Sequence, residues 1–222
     1  MKKQKWSILE SHYLIERPWL TARRDVVQLP DGRIFPEFYV LEYPSWINVI
    51  AITDEGNFVM VEQYRHGLQD VFTELCAGVV DPGEAPLAAA KRELLEETGY
   101  AGDDWELFSV LSQNPTSTNN LTYCFIARGV HKVSEQKLDE TEDIEVKILT
   151  EQELKDMLLA DTIKQSLMVA PLWKYFALKN NKNSNRRTTK RQKNLKKLAQ
   201  LKKNTYLCTT ETTRHLAQVA EW

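Results

Sequence analysis

Three features of this 222-residue sequence predict an α+β fold. Short segments of alternating apolar and polar residues, separated by turn sequences, fill the first third of the chain and are typical of antiparallel strands. Over residues 86–98 the apolar spacing changes to that of a helix, and strands return before two C-terminal helices. Many strands with a few segregated helices favour an α+β architecture.

Turn residues define the individual elements. Asp31-Gly32 predicts a hairpin of strands 26–30 and 33–41, and Asp54-Glu55-Gly56 predicts a second hairpin of strands 46–52 and 57–64. Gly99 directly follows helix 86–98 as a natural C-cap. The other expected elements are strands 72–80, 105–112, 121–128 and 142–149 and helices 151–160 and 162–178.

Charge divides the chain into an acidic body and a basic end. Residues 1–178 hold 17 Lys and Arg against 29 Asp and Glu, whereas residues 179–222 hold 12 against 2. We therefore expect a folded, acidic body over residues 1–178 and a basic, disordered tail over residues 179–222. An acidic body excludes nucleic acid as the main partner and leaves only weak attraction through the tail.

The three cysteines have no metal-type spacing and are too few for a disulfide framework. Neither a signal peptide nor a membrane-length apolar run is found in the sequence. A cytoplasmic location without membrane attachment is expected.

An acidic cluster on the predicted helix carries the chemistry. Glu93 and Glu97 are four residues apart and share a helix face, with Glu96 beside them. Because like charges at this spacing destabilise a helix, a divalent cation that neutralises them is a natural partner. Hard oxygen ligands near a phosphate suit Mg²⁺, and a solvated acidic surface is the alternative.

The residues around the cluster form a frame for it. Asp81-Pro82-Gly83 predicts a type II turn, and Gly78 permits a close backbone approach where the loop leaves its strand. Glu84 precedes the helix and can pair with Arg92.

Together these positions resemble the Nudix box, Gly-x5-Glu-x7-Arg-Glu-U-x-Glu-Glu-x-Gly-U, where U is a bulky apolar residue. All seven fixed residues match, and Leu94 and Tyr100 fill the two U positions; the matches are Gly78, Glu84, Arg92, Glu93, Glu96, Glu97 and Gly99. The resemblance extends over residues 7–178 and implies an α/β/α sandwich with a mixed sheet. It divides the acidic body into an N-terminal antiparallel β region (1–44) and a catalytic domain (45–178).

The resemblance also implies a metal-dependent hydrolase of diphosphate bonds. Glu93 and Glu97 would be the principal ligands, with Glu96 and a backbone carbonyl from Ala77 or Gly78 completing the site. Mg²⁺ is the expected ion, with Mn²⁺ as a substitute, and it would bridge the diphosphate and activate a water.

Within the family the chain is similar to the ADP-ribose pyrophosphatase group, which implies AMP and ribose 5-phosphate as products. The group carries a proline sixteen residues after the last box glycine, and Pro115 stands there. Arg65, in Val61-Glu62-Gln63-Tyr64-Arg65, would grip the diphosphate; a structural ion pair is the competing interpretation.

The N-terminal hairpins resemble the small region through which these enzymes form homodimers and share the nucleotide site. From there Phe35 or Trp46 can stack on a base, although core packing is the plainer role for either.

A late acidic loop, residues 139–146, would supply the general base. By position Glu140 is the first candidate and Glu142 the second. Where the group often has a glutamate, this chain has Asn120, which can hydrogen-bond a substrate but cannot act as a base. GDP-mannose, NADH or another conjugate is therefore an alternative substrate, and a non-catalytic ADP-ribose sensor or an RNA-decapping enzyme is an alternative function.

Overall fold

The computed structural model describes residues 4–180, which form two β-sheets and three helices. The chain divides into two compact units, Met1–Leu172 and Trp173–Trp222, and only 173–180 of the second are described. Residues 181–222 of the predicted basic tail lie outside the described residues.

The strands are β1 (Ser7–Arg17), β2 (Leu20–Gln28), β3 (Ile34–Glu42), β4 (Trp46–Thr53), β5 (Phe58–Arg65), β6 (Asp70–Val79), β7 (Tyr100–Ala101), β8 (Asp104–Leu111), β9 (Thr122–Lys132) and β10 (Ile144–Leu149). The helices are α1 (Pro86–Thr98), α2 (Glu151–Leu159) and α3, which is helical over 166–180.

The first sheet is a three-stranded antiparallel unit in the order β1-β2-β3. The predicted hairpin at Asp31-Gly32 joins β2 to β3, and Gly32 has the positive φ of 88° that such a turn requires. Strand β1 was not expected. Its pairing with β2 shifts register twice, and these irregularities interrupt the alternation of period two by which strands are predicted.

The second sheet is seven-stranded and mixed, in the order β10-β5-β6-β4-β9-β7, with β8 also paired to β9. Strand β4 is central and runs parallel to β9, whereas the other pairs are antiparallel. The mixed sheet agrees with the predicted fold class.

The two faces of the large sheet bury different residues. Helix α1 packs through Ala89, Ala90 and Leu94 on the face formed by Ile47, Val49 and their neighbours. Because side chains alternate along a strand, Asn48 points to the opposite face, where its Nδ2 donates to the carbonyl of Leu167 at 2.7 Å. The segment before and at the start of α3 therefore covers that second face.

Helix α1 coincides with the predicted helix 86–98, but α3 begins at residue 166 rather than at 162. The delay has a local cause. Thr162 bonds back to the carbonyl of Met157 through both its N–H and its hydroxyl, so residues 160–162 complete the C-terminal turn of α2 instead of opening a new helix.

A loop after β8 connects the two sheets. The N–H of Leu41 donates to Ser117 O at 2.7 Å, and the N–H of Tyr43 donates to Asn119 Oδ1 at 3.1 Å. Asn120 is buried, and its Nδ2 donates to Pro44 O at 3.0 Å. These bonds fix the linker between β3 and β4. No helix within residues 4–180 is long and apolar enough to cross a membrane.

Candidate active site

Turn chemistry sets where α1 begins and ends. Gly83 has a φ of 83°, and the N–H of Glu84 donates to Asp81 O at 3.0 Å, as the predicted type II turn requires. Pro86 lies in the first turn of α1, where its missing N–H costs nothing. Gly99 ends the helix with a left-handed φ of 74°, and its N–H donates to Leu95 O at 2.9 Å. The acidic face of α1 is therefore held at both ends.

Gly78 makes room for the carboxylate of Glu93. A Cβ at this position would lie 2.0 Å from Glu93 Cδ, far inside van der Waals contact. The C-terminal end of β6 and the middle of α1 can approach this closely only because residue 78 has no side chain. This close approach places Glu93 against the β6 backbone.

Arg92 neutralises part of the acidic cluster. Its Nε and Nη2 donate to Glu84 at 3.1 and 3.0 Å, which is the predicted pair between loop and helix. Its Nη1 donates to Glu93 at 2.9 Å and to Glu96 at 3.2 Å, and Nη2 also donates to Val79 O. One guanidinium thus joins the loop, the strand and two of the three carboxylates of the acidic cluster, Glu93 and Glu96.

Glu97 is the most deeply buried carboxylate of the cluster. Its side chain accepts the N–H of Ala77 at 3.2 Å, and only 3% of the residue is exposed. Burial, together with the neighbouring carboxylates of Glu93 and Glu142, raises the pKa of Glu97 to about 8. Burial first, and then Glu97, also raises the pKa of the Cys76 thiol beneath it.

The donor set suits a hard divalent cation. Burial is the main cause that raises the pKa of Glu93, as it is for Glu97, so both carboxyl groups are costly to ionise unless a cation is bound beside them. Carboxylate oxygens and the adjoining backbone carbonyls are the ligands that Mg²⁺ prefers. Within residues 4–180 no three His, Cys, Asp or Glu side chains already have the arrangement of a metal site, and Arg92 is hydrogen-bonded to both Glu93 and Glu96.

A cavity of about 470 Å³ opens beside the first residues of the motif. Ala77, Gly78, Arg65 and Glu142 contribute to its polar end. Trp19 and Trp46 supply aromatic walls, and Gln165, Leu167 and Met168 border the second face of the sheet. The volume is in the range of pockets that hold small organic ligands.

The guanidinium of Arg65 is fixed in this cavity by an ion pair. Its Nε and Nη2 donate to the carboxylate of Glu74, which is almost fully buried. A guanidinium has five N–H donors on three nitrogens, and the bonds to Glu74 involve only Nε and Nη2. The structural pair and a role in binding phosphate are therefore compatible.

Comparison with known proteins identifies the motif. Residues 43–169 match the profile described as the NUDIX domain, which covers more than half of the chain. The chain belongs to the Nudix family. Residues 6–41 match a second profile, the nucleoside diphosphate sugar hydrolase N-terminal domain, so the three-stranded sheet also has a counterpart in known proteins.

Individual relatives agree with this assignment. The Nudix chain is 36% identical over 127 residues to the methanol dehydrogenase activator of Bacillus methanolicus, covering 57% of this chain and 68% of that protein. It is 34% identical over 125 residues to the ADP-ribose pyrophosphatase of Bacillus subtilis strain 168, covering 56% and 67%. A crystal structure of an ADP compounds hydrolase shares the fold, with a TM-score of 0.70, 20% identity and coverage of 82% and 98%.

The Nudix site brings together only some of the residues suggested by sequence. Glu142 and Trp46 line the cavity with Arg65 and Ala77, and Glu142 also acts electrostatically on Glu93 and Glu97. Seven others are not among the residues that line it: the box glutamates Glu93, Glu96 and Glu97, and also Phe35, Pro115, Asn120 and Glu140. Phe35 is 47% exposed on β3 and contacts Phe38 edge-on, whereas Pro115 is exposed in the loop after β8.

Asn120 braces the backbone instead of facing the cavity. Its Nδ2 bonds to Pro44 O, and its Oδ1 is buried without a hydrogen-bond partner among residues 4–180. The assignment of Asn120, Phe35 and Pro115 to substrate binding and that of Glu140 as the general base stay predictions.

Sequence reasoning missed Trp19. It lies in the two-residue turn between β1 and β2, is 72% exposed and lines the cavity together with Trp46. An exposed tryptophan is unusual, since the indole ring is normally buried, but its exposure is a property of the folded chain that the sequence does not give.

Proposed function

We propose that the chain is a magnesium-dependent hydrolase that cleaves the diphosphate bond of nucleoside diphosphate-linked compounds, with ADP-ribose as the preferred substrate. One observation carries the proposal: a single cavity holds the start of the Nudix box, the fixed guanidinium of Arg65, the carboxylate of Glu142 and two indole rings. A diphosphate flanked by a base and a sugar matches that distribution of cationic, acidic and aromatic groups.

Arg65 and the tryptophans would bind and orient the substrate. A guanidinium donates two parallel N–H bonds to phosphate oxygens, and Glu74 holds that of Arg65 so that little conformational freedom is lost on binding. Trp19 and Trp46 offer flat apolar surfaces for the base or the sugar.

The acidic loop would accept the proton of the attacking water. The water oxygen forms a new bond to one phosphorus while the bridging P–O bond breaks, giving AMP and ribose 5-phosphate from ADP-ribose. Glu142 faces the cavity and is the better placed acceptor, with Glu140 as the alternative.

The ion would be held by Glu93, Glu96, Glu97 and a backbone carbonyl of Ala77 or Gly78. For this the carboxylates of Glu93 and Glu96 would have to release the guanidinium of Arg92. When bound, Mg²⁺, or Mn²⁺ in its place, lowers the pKa of a ligand water and neutralises diphosphate charge.

The name of the Bacillus subtilis relative, ADP-ribose pyrophosphatase, supports ADP-ribose as the substrate. GDP-mannose and NADH have the same diphosphate core and remain the alternatives. Cys76 is a buried thiol outside any disulfide, which supports the proposed reducing, cytoplasmic environment.

The test is a substrate panel with Mg²⁺, in which the products from ADP-ribose, GDP-mannose, NADH, diadenosine polyphosphates and capped RNA are separated. We expect AMP and ribose 5-phosphate from ADP-ribose, no turnover with EDTA, and a loss of at least about 100-fold in kcat in Glu97→Gln. Glu145→Gln is the matched control, because Glu145 is an exposed acid paired with Lys147 and lies outside the cavity.

Cleavage of another compound alone would change the substrate and keep the mechanism. No cleavage of any compound would favour the sensor function, and full activity in Glu97→Gln would show that the metal assignment is wrong.

A further inference from the structure

The chain after β9 covers the C-terminal end of α1. The N–H of Val133 donates to Gly99 O at 2.8 Å, and the N–H of Lys137 donates to Glu96 O at 2.8 Å. Leu138 then packs against the core cluster beneath the helix. Helix ends leave carbonyls without intrahelical partners, and this segment, residues 133–138, supplies donors for them.

Gln136 completes this covering with its side chain. Its Nε2 donates to Glu97 O at 2.6 Å and to Ile144 O at 3.0 Å. An amide nitrogen carries two hydrogens, so both bonds form at once. The first acceptor is the backbone carbonyl of Glu97, the buried glutamate at the end of α1. The second is the backbone carbonyl of Ile144, the first residue of β10. Gln136 therefore links the two elements directly.

The acidic loop, residues 139–143, lies between these anchors. Within the loop the N–H of Asp139 donates to Glu142 Oε2 at 2.9 Å, and the N–H of Glu142 donates to Asp139 O at 3.0 Å. The loop is thus closed on itself, and its position relative to α1 depends on its two ends. Leu138 anchors the first end, and Gln136 joins the second end to the carbonyl of Glu97.

We propose that Gln136 is a positioning residue that holds the acidic loop, with Glu142, at a fixed distance from the box carboxylates on α1. The inference rests on the proposed hydrolase function. Gln136 does not contact the cavity, so it would act only through the placement of Glu142. Ile144 is also held by its pairing with Gln63 of β5 and by burial in the core. Loss of the two donors would therefore release the loop before Ile144 rather than β10 itself, and would misplace the proton acceptor while Arg65 and the tryptophans still bind substrate.

Gln136→Met tests this, because methionine keeps the length of the side chain and removes both donors. We expect kcat for ADP-ribose to fall about tenfold while KM changes less than about twofold, since misplacement of a reacting group by less than 1 Å already has effects of this order. Gln136→Lys restores N–H donors and should recover most of kcat. Gln152→Met is the matched control, because it removes an exposed glutamine that donates to Asp156 on α2.

Hydrogen exchange gives a second result that needs no activity. Amides of residues 139–144 should exchange at least several-fold faster in Gln136→Met than in the wild type, and at the wild-type rate in Gln152→Met. Unchanged exchange, or a rise in KM with constant kcat, would overturn the proposal. A wild-type protein that cleaves no diphosphate would refute the proposed function, and the exchange result would still decide whether Gln136 positions the loop.

Discussion

At the scale of single residues, the box motif combines groups that touch ligand with groups that make room for them. Gly78 belongs to the second kind. In the sequence it stands where a strand meets a turn, and its absence of a side chain can be explained by either. In the structure the reason is close packing, because the carboxylate of Glu93 occupies the space that a Cβ of residue 78 would need.

Gly78→Ala should therefore reduce activity more than stability. The new methyl group would push the Glu93 carboxylate from its place, and we expect kcat to fall at least about tenfold with the fold intact. Gly67→Ala is the matched control, since nothing lies within 4 Å of a Cβ there. Steady-state kinetics and thermal melts would measure both variants, and equal kcat values for the two would contradict the assignment.

Glu97 makes stability depend on pH when no metal is bound. Its pKa is raised to about 8 in the folded chain, above its ordinary value of 4.5, so folding favours its protonated form. The stabilisation is fully present below pH 4.5 and is lost as pH rises through about 8. The raised pKa of Glu93 acts in the same direction.

In EDTA, wild-type protein should melt at a lower temperature at pH 8 than at pH 5, and Glu97→Gln should show a smaller difference. We expect the variant to gain about 1 kcal/mol or more at pH 8, which is about 2–4 °C for a chain of this size. Mg²⁺ should raise the melting temperature of the wild type and have little effect on the variant. Equal pH dependence in both proteins would show that Glu97 is not the responsible group.

Local chemistry explains which site features could be predicted. The turn at Gly83, the C-cap at Gly99 and the pair of Glu84 with Arg92 all join residues close in sequence, where residue type and spacing determine geometry. Trp19 and Gln136 escaped prediction because their roles depend on segments that meet only in the folded chain. Nothing in the sequence near either residue indicates those neighbours.

At the scale of elements, Gly99 has two structural roles at the C-terminal end of α1. Gly99 adopts a left-handed φ, and a Cβ there would lie 2.1 Å from Ser134 O. The motif therefore needs glycine both to end the helix and to let the segment before the acidic loop approach it.

Two alanine substitutions can separate these duties. Gly83→Ala introduces strain at a similar φ of 83° with nothing within 4 Å, so we expect a loss of about 1–2 kcal/mol in the free energy of unfolding. Gly99→Ala adds a clash with backbone and should cost at least about 1 kcal/mol more. Denaturant unfolding would measure both losses, and equal losses would show that the segment yields easily.

Elements with a regular pattern were found from sequence, and irregular ones were not. Strand β4 lies at 46–53 against a predicted 46–52, because a mainly apolar run, interrupted only by Asn48, is bounded by turn residues. Strand β1 was missed because register shifts at two places interrupt the alternation of faces by which a strand is predicted.

At the scale of the whole molecule, the three-stranded sheet exposes a large apolar surface. All eleven residues of β1 are exposed, and large side chains at 43% exposure or more occur on each strand of the sheet: Ile8, Leu9, Tyr13, Leu14, Ile15, Leu20, Ile34, Phe35 and Tyr39. Such a surface is rare on a monomer and marks an interaction site. It supports the homodimer that the resemblance leads us to expect.

Sedimentation should therefore give a mass of twice 25.8 kDa for the wild type. A double substitution, Ile8→Glu with Leu14→Glu, should shift the protein to the monomer, because it places charges within the apolar surface. Leu159→Glu, at an exposed leucine of α2, is the matched control and should remain dimeric. A wild-type monomer at micromolar concentration would refute the homodimer.

The parallel pairing of β4 with β9 has a consequence for the growing polypeptide on the ribosome. When the last residue of the Nudix box has been added, β4 still lacks the strand at 122–132 that completes one of its edges. Glu142 and Gln165, which close the cavity, come later still. A nascent chain at that stage presents a bare, strongly apolar strand edge to its surroundings, so premature termination between residues 100 and 122 should yield chaperone clients and inclusion bodies rather than a smaller enzyme.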